Sequence, residues 1–319
     1  MMKQIKRYGW TFLGLVAVGF SVWLLYQELQ ELSLDELWES IVAIPPQNWL
    51  LCLSATLAAY AALAGYDRLA LLHLRRRISL TYVVITSFTT YALSHNIGAP
   101  VFSGSLVRYR AYSAKGLGAA EVGVLVAFCS FTFGLGILLL TGLVLIIEPG
   151  ITERFLDVLP IQASSATGFF LLALVLFYVA GSALRLRPLR IGKFEITYPR
   201  LPIVAQQLLI GPLEIIGAAL IVYFALPEAG NPGFITVLGI FLIAFSLALL
   251  SHAPGGLGVL ELAFITGLPE VEAVDVLAAL VVFRLLYLLV PFVIALFVVL
   301  GFERQQLVNK IGARRNVLT

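Results

Sequence analysis

The chain has 319 residues, of which 60% are hydrophobic and only 12% are charged, and its mean hydropathy is +0.98. A soluble domain carries about 25% charged residues, so the composition excludes an ordinary soluble enzyme and indicates a polytopic helical membrane protein. The formal net charge of +3 is small, and the distribution of the charges along the chain is more informative than their sum.

Apolar runs of about 20 residues, the length that crosses a bilayer, recur throughout the chain. They cover 9–26, 48–72, 78–94, 120–147, 163–184, 203–226, 234–251 and 273–301, with two shorter stretches at 97–113 and 253–269. The first run follows Lys3, Lys6 and Arg7 and has no small-residue cleavage site after it, so it predicts a retained transmembrane helix rather than a signal peptide.

Two connections have patterns of their own. Ser33 and Glu36 form a capping box ahead of apolar residues that include Trp38, which predicts a short amphipathic helix on the outer interface. Residues 187–202 alternate between apolar and polar side chains, which predicts a small cytoplasmic β-hairpin.

Lysine and arginine in short loops mark the cytoplasmic side of a membrane protein. Basic residues place the N-terminus and the segments 75–77, 185–200 and 304–315 inside. Acidic residues place the segments 27–47 and 148–160 and the turn at Glu228 outside. Both termini are therefore predicted to be cytoplasmic.

The number of membrane crossings does not agree with this assignment of loops to the inside and outside unless two segments turn back within the membrane. The chain must cross an odd number of times between Arg77 (inside) and Glu148 (outside), yet it contains two apolar runs there. A re-entrant hairpin over 78–113 that turns at His95 to Pro100 removes the conflict. A second hairpin over 234–270, turning at His252 to Gly258, removes the same conflict in the second half.

The two turns are related. Ser94-His95 and Ser251-His252 lie 157 positions apart, and both precede glycine and proline in otherwise apolar sequence. Paired breaks of this kind indicate the binding site of a transporter built from inverted repeats. We therefore predict an all-α polytopic membrane protein, one transmembrane domain over 1–319. Its inverted-topology repeat halves cover about 1–147 and 161–302, each with a re-entrant broken-helix hairpin.

Ionisable side chains within membrane spans are candidates for function because they are costly to bury. Those in this chain are Asp67, Arg108, Arg110, Glu214, Glu261 and Arg284. Arg108 and Arg110 either bind the phosphate of an anionic lipid headgroup bidentately or extend to the cytoplasmic interface as topology signals. The sequence does not separate these two roles.

Arg284 lies mid-span and needs a buried partner, which Glu214 or Glu261 would supply. A structural ion pair and a substrate contact are both open for it. Asp67 and Arg68 are neighbours and cannot share a helix face, so Asp67 is expected to face the protein, towards Arg108 or Arg110.

His95 and His252 stand at the two breaks, where they either satisfy freed backbone groups or act in proton relay or headgroup contact. Two histidines without a carboxylate cluster do not predict a metal site, and we expect no cofactor. The glycines at 255–258 lack the strand and lysine of a nucleotide loop. A helix beginning there would attract a lipid phosphate through its free N–H groups.

At these residues the chain resembles the transmembrane region of lysylphosphatidylglycerol synthases, which multiple peptide resistance factors carry. The resembling segments are 91–96 with Gly104, 107–113 with Arg108-Tyr109-Arg110, 252–261 ending in Glu261, and 284–287 beginning with Arg284. The resemblance implies a flippase-like module that moves aminoacylated or other phospholipids between leaflets. We expect a stand-alone member without the cytoplasmic synthase domain.

The predicted function is that of a phospholipid flippase or scramblase-like transporter of the bacterial inner membrane, without enzymatic activity. Its predicted partners are anionic or aminoacylated phospholipids and a separate lipid synthase, but not nucleic acid. Two alternatives stay open. One is an intramembrane lipid-modifying transferase that uses His95, His252 or Glu261 as acid or base. The other is a non-catalytic subunit that passes lipid to a separate enzyme.

Overall fold

The structure, a computed structural model, describes residues 34–97, 100–155, 163–184, 189–191, 194–196, 198–251 and 256–302. Its helices, in chain order, are α1 (Leu34–Ala43), α2 (Pro46–His73), α3 (Leu80–Ile97), α4 (Pro100–Ser113), α5 (Ala119–Ile147), a 3-10 helix (Pro149–Phe155), α6 (Ser165–Ala183), α7 (Leu201–Ala225), α8 (Phe234–Ser251), α9 (Val259–Gly267) and α10 (Ala273–Phe302). Between α6 and α7, β1 (Leu189–Ile191) pairs antiparallel with β2 (Phe194–Ile196), which confirms the predicted small hairpin.

Six of the described helices, α2, α5, α6, α7, α8 and α10, are long and apolar enough to cross a membrane. This confirms the prediction of an all-α polytopic membrane protein. By contrast, α4 has 14 residues and α9 has 9, fewer than the roughly 20 that a span requires. The re-entrant course of the two hairpins and the inverted repeat stay predictions. The expected first span, 9–26, and His252 lie outside the described residues.

The first helix break lies within the segment predicted to turn, 95–100, near its end. Helix α3 continues through Ser94 and His95 to Ile97. The Ser94 hydroxyl donates to the Tyr91 carbonyl at 3.3 Å, and the Asn96 amide donates to the Ala92 carbonyl at 2.8 Å. Such bonds to a carbonyl one turn earlier are compatible with a continuing helix. The next helix then begins at Pro100, where a missing N–H leaves no bond unmade.

The centre of the protein is the packing of α2 along α7, with α5 crossing beside them. Glycines permit these close approaches. A Cβ on Gly136 of α5 would lie 2.6 Å from the Gly211 carbonyl carbon of α7, and one on Gly217 would lie 2.9 Å from the Ala59 Cβ of α2. Small residues at helix contacts let backbones approach closely, which is a main source of helix association in membranes.

Two glycines of α5 provide a matched test of this packing. Gly136→Ala is expected to destabilise the protein by about 1–3 kcal/mol, since the added methyl meets backbone that cannot move aside. Gly134 has open space where a Cβ would stand, so Gly134→Ala should be neutral or stabilising by up to about 1 kcal/mol through helix propensity. Melting temperatures in one detergent measure both, and equal losses would contradict the close contact of α5 with α7.

Shorter elements contact the ends of the longer helices. Helix α1 carries Asp35 and Glu36 in its first turn and packs against the beginning of α10, which agrees with the predicted short amphipathic helix. In the 3-10 helix, Arg154 donates to the Gly267 carbonyl and to the Glu270 carboxylate, each at 2.9 Å. That bond from the Arg154 guanidinium lowers the pKa of Glu270. The contact ties the connection after α5 to the end of α9.

Candidate functional site

Asp67 on α2 is the centre of the first buried charge cluster. Its side chain is inaccessible to solvent, and its Oδ1 accepts from the Arg108 guanidinium of α4 at 2.7 Å (Nη2) and 3.1 Å (Nε). The Tyr112 hydroxyl donates to Oδ2 at 2.7 Å. Arg68, the next residue, is exposed. These contacts confirm that Asp67 faces the protein, and they identify Arg108 as its partner.

The Arg108 guanidinium has an aromatic contact as well as its carboxylate partner. Besides Asp67, it faces the Tyr91 ring, whose centroid lies 4.7 Å from Cζ, a distance at which cation and ring attract. Arg108 is 4% exposed, so contact with a lipid phosphate would require the pair with Asp67 to open. Arg110 lies two residues further on α4 and is exposed. The two arginines therefore have different surroundings.

Glu261 on α9 and Arg284 on α10 form a second ion pair. The guanidinium donates to Glu261 Oε1 from Nε at 2.9 Å and from Nη2 at 2.5 Å. The other carboxylate oxygen accepts the Gly258 N–H at 2.8 Å, at the beginning of α9. The predicted need of Arg284 for a buried partner is confirmed, and the partner is Glu261 rather than Glu214. The Gly258 N–H group, which belongs to the predicted anion site, is therefore occupied by the Glu261 carboxylate of the protein itself.

Arg284 also begins a π-helical turn, Arg284–Leu289, within α10. Such a turn is rare and is often found at functional sites. Side chains from other helices bind two of its carbonyls. The Tyr60 hydroxyl donates to the Tyr287 carbonyl at 3.0 Å, and the Asn96 amide donates to the Leu288 carbonyl at 3.1 Å. The end of α3 is thereby attached to the middle of α10.

His95 lies between the Arg108 cluster and the π-helical turn. Its buried Nδ1 forms no hydrogen bond within the part of the chain that the structure describes. Its ring stacks on Tyr287 with centroids 5.4 Å apart, and the Tyr91 ring is 5.7 Å away. Asn96 binds backbone carbonyls at this break, and the two roles that the sequence offered for His95 stay predictions. His95 is thus a ring contact between the Arg108 cluster and the π-helical turn.

Glu214 on α7 is 4% exposed and forms no pair with Arg284. Its Oε1 accepts from the Tyr287 hydroxyl at 2.5 Å, and its buried Oε2 has no hydrogen-bond partner among the described residues. A buried carboxyl oxygen without a partner is unusual in a folded protein and indicates a special role.

Aromatic residues for which no separate role was predicted link the candidate groups. Tyr91 contacts both Arg108 and His95, while Tyr287 contacts both His95 and Glu214. The sequence spacing could have identified both tyrosines. Tyr91 lies four residues before His95, and Tyr287 lies three residues after Arg284, so each shares a helix face with a candidate residue. Among the described residues there is no group of three histidine, cysteine or carboxylate side chains that could hold a metal ion.

Comparison with known proteins adds relatives of similar length. No protein-family model matches the chain. It is 29% identical over 292 residues to the uncharacterized Synechocystis protein slr0712, covering 91% of this chain and 90% of that one. It is 26% identical over 301 residues to the inner membrane protein YbhN of Escherichia coli, covering 92% of each.

A third similarity is local. Over 91 residues the chain is 37% identical to the phosphatidylglycerol lysyltransferase of Staphylococcus haemolyticus, which is 28% of this chain and 11% of that protein. The similarity is therefore confined to about a quarter of the chain.

Proposed function

We propose that this chain is a phospholipid flippase or scramblase-like transporter of the bacterial inner membrane. The observation that carries the proposal is the pair of buried arginine–carboxylate clusters, Asp67–Arg108 and Glu261–Arg284, in a mostly apolar helical bundle. Charged groups at membrane depth are costly and mark the paths of polar substrates. Each cluster includes a residue of a short helix that follows a break, which is where transporters bind substrates.

The relatives support the substrate class. The locally similar protein is named for phosphatidylglycerol, so an anionic or aminoacylated phospholipid is the proposed substrate. The similarity to YbhN supports placement in the inner membrane. A lipid phosphate is also the ligand that guanidinium groups bind bidentately.

The proposed pathway uses exchange of partners at the arginines. Arg110, exposed on α4, meets the headgroup first. At Arg284, whose side chain is 15% exposed, the phosphate then replaces Glu261. The released Glu261 carboxylate is positioned to bind the cationic end of an aminoacyl headgroup. Asp67 and Glu214 support the pathway from within the bundle, and His95 lies beside it. His252, also a proposed site residue, lies outside the described residues.

A leaflet-resolved assay in proteoliposomes tests this proposal. Purified protein should equilibrate labelled phosphatidylglycerol or its lysyl derivative between leaflets, and Arg110→Glu should abolish this because it repels the phosphate. Arg77→Glu is the matched control, since it reverses an exposed charge in the loop before α3 and should transport like the parent. Loss of transport in both variants, or in neither, would contradict the role of Arg110.

The local similarity to a lysyltransferase favours one alternative, an intramembrane lipid-modifying transferase. Mass spectrometry of lipid incubated with the purified chain separates the two functions. A transferase changes the mass of its substrate, whereas a flippase returns every lipid unchanged. A protein that does neither alone, but binds a lipid synthase stably, would instead be the partner subunit.

A further inference from the structure

Glu214 is the one candidate carboxylate whose partner is not an arginine. Asp67 and Glu261 each bind a guanidinium. Within the part of the chain that the structure describes, no lysine, arginine or histidine forms an ion pair with Glu214. Its hydrogen bond to Tyr287 leaves Oε2 buried, with no partner in the described ranges.

The elements packed around Glu214 offer hydroxyl groups and apolar side chains. Helix α2 contributes Tyr60 and Tyr66, whose hydroxyls donate to the backbone carbonyls of Tyr287 and Gly211. Helix α10 contributes Tyr287, and His95 of α3 stacks on that ring. Helices α5 and α8 line a cavity of about 10 Å³ beside Glu214 through Phe133, Ile137, Phe241, Leu242 and Phe245. That volume is close to what a single water molecule requires.

An ionised carboxylate in these surroundings would be very unfavourable, because neither a cation nor bulk water balances its charge. The group is neutral when it holds a proton. It can release that proton when a conformational change admits water to the small cavity or brings a cation near.

We propose that Glu214 is a proton-binding site in the membrane interior, loaded and unloaded as the protein changes conformation. Its connection to the transport path is Tyr287, which binds Glu214 and belongs to the same π-helical turn as Arg284. Loss of the proton strengthens the hydrogen bond from Tyr287 to Glu214 by making it charge-assisted. The stronger bond alters the π-helical turn, which positions Arg284 against Glu261. A proton and an anionic phospholipid cross together without net charge. This coupling rests on the proposed function, whereas proton binding itself does not.

Infrared spectroscopy of the full chain in phosphatidylcholine vesicles tests the proton site directly. The band of interest is the carbonyl stretch of the protonated Glu214 carboxyl, which is identified by its absence from Glu214→Gln. This band should be present at low pH and should disappear reversibly as the pH rises. Glu228→Gln, which alters the exposed turn after the same helix, should leave the band unchanged. Tyr287→Phe should shift the band to higher frequency, because the Glu214 carbonyl loses its hydrogen-bond donor. This shift identifies the Glu214 band even if Glu214→Gln does not fold.

Two spectroscopic results would overturn the site. Identical spectra of the parent and Glu214→Gln would mean that Glu214 is ionised throughout. A Glu214 band that persists at every pH at which the protein stays folded would mean that the proton is never exchanged.

Lipid asymmetry under an imposed pH gradient tests the coupling. With one proton per lipid, a gradient of one pH unit should enrich labelled phosphatidylglycerol up to about tenfold in the leaflet that faces the alkaline side. Glu214→Gln should show no enrichment beyond protein-free vesicles. Equilibration without enrichment in the parent would overturn the coupling. A titrating Glu214 band without any lipid movement would support the proton site and contradict the proposed function.

Discussion

Asp67→Asn is expected to destabilise the protein by about 3–5 kcal/mol, the largest effect on stability that we predict. The substitution preserves shape but removes the charge that Arg108 binds at 2.7 Å in a site closed to solvent. Breaking a buried ion pair on one side is strongly destabilising because the other charge is left uncompensated. Tyr112 loses its charged acceptor as well. Denaturation in detergent, followed by the loss of helical signal, measures the change.

An exposed pair with similar geometry is the matched control. Arg76 binds Glu121 through two hydrogen bonds of 2.7 and 2.9 Å, but their side chains are 46% and 30% exposed. Glu121→Gln should therefore change stability by no more than about 1 kcal/mol. The double variant Asp67→Asn with Arg108→Gln should recover part of the loss, since it leaves no buried charge unpaired. An Asp67→Asn protein as stable as the parent would show that Arg108 does not depend on this carboxylate.

Arg284→Gln is expected to slow lipid movement by roughly 30-fold or more. Truncating one member of a desolvated, hydrogen-bonded charge pair changes binding by about 2 kcal/mol or more, and 1.4 kcal/mol is a factor of ten. In the proposed pathway Arg284 binds the lipid phosphate itself, so its loss removes both the ligand for the phosphate and the partner of Glu261. The proteoliposome assay measures the rate.

The double variant Glu261→Gln with Arg284→Gln decides between the two roles that the sequence left open for this arginine. If Arg284 contacts lipid, the double variant is as inactive as Arg284→Gln. If the pair is only structural, removing both charges restores lipid movement because no charge is left buried alone. Arg284→Lys should be intermediate, since an ammonium group keeps the charge but lacks the planar, bidentate geometry of guanidinium.

Much of the fold could be predicted from the amino-acid sequence because membrane burial leaves strong local signals. Long apolar runs predicted the spanning helices, and the capping box at Ser33 and Glu36 predicted the short helix α1. Adjacent charges at Asp67 and Arg68 cannot face the same way, so one had to point inward. The mid-span position of Arg284 likewise required a carboxylate partner.

The pairing of these groups, by contrast, depends on how the helices pack. Glu214 and Glu261 both lie within apolar runs and looked equivalent as partners for Arg284. The choice of Glu261 depends on the N-terminus of α9 lying against α10, a contact between helices that no local pattern encodes. The π-helical turn was equally hidden, since a single wide turn leaves the apolar run unchanged. Asn96 and Tyr60 acquired their roles only because that turn offers carbonyls to distant side chains. Side-chain chemistry and hydropathy are local properties, whereas the partner of a buried charge depends on which helices meet.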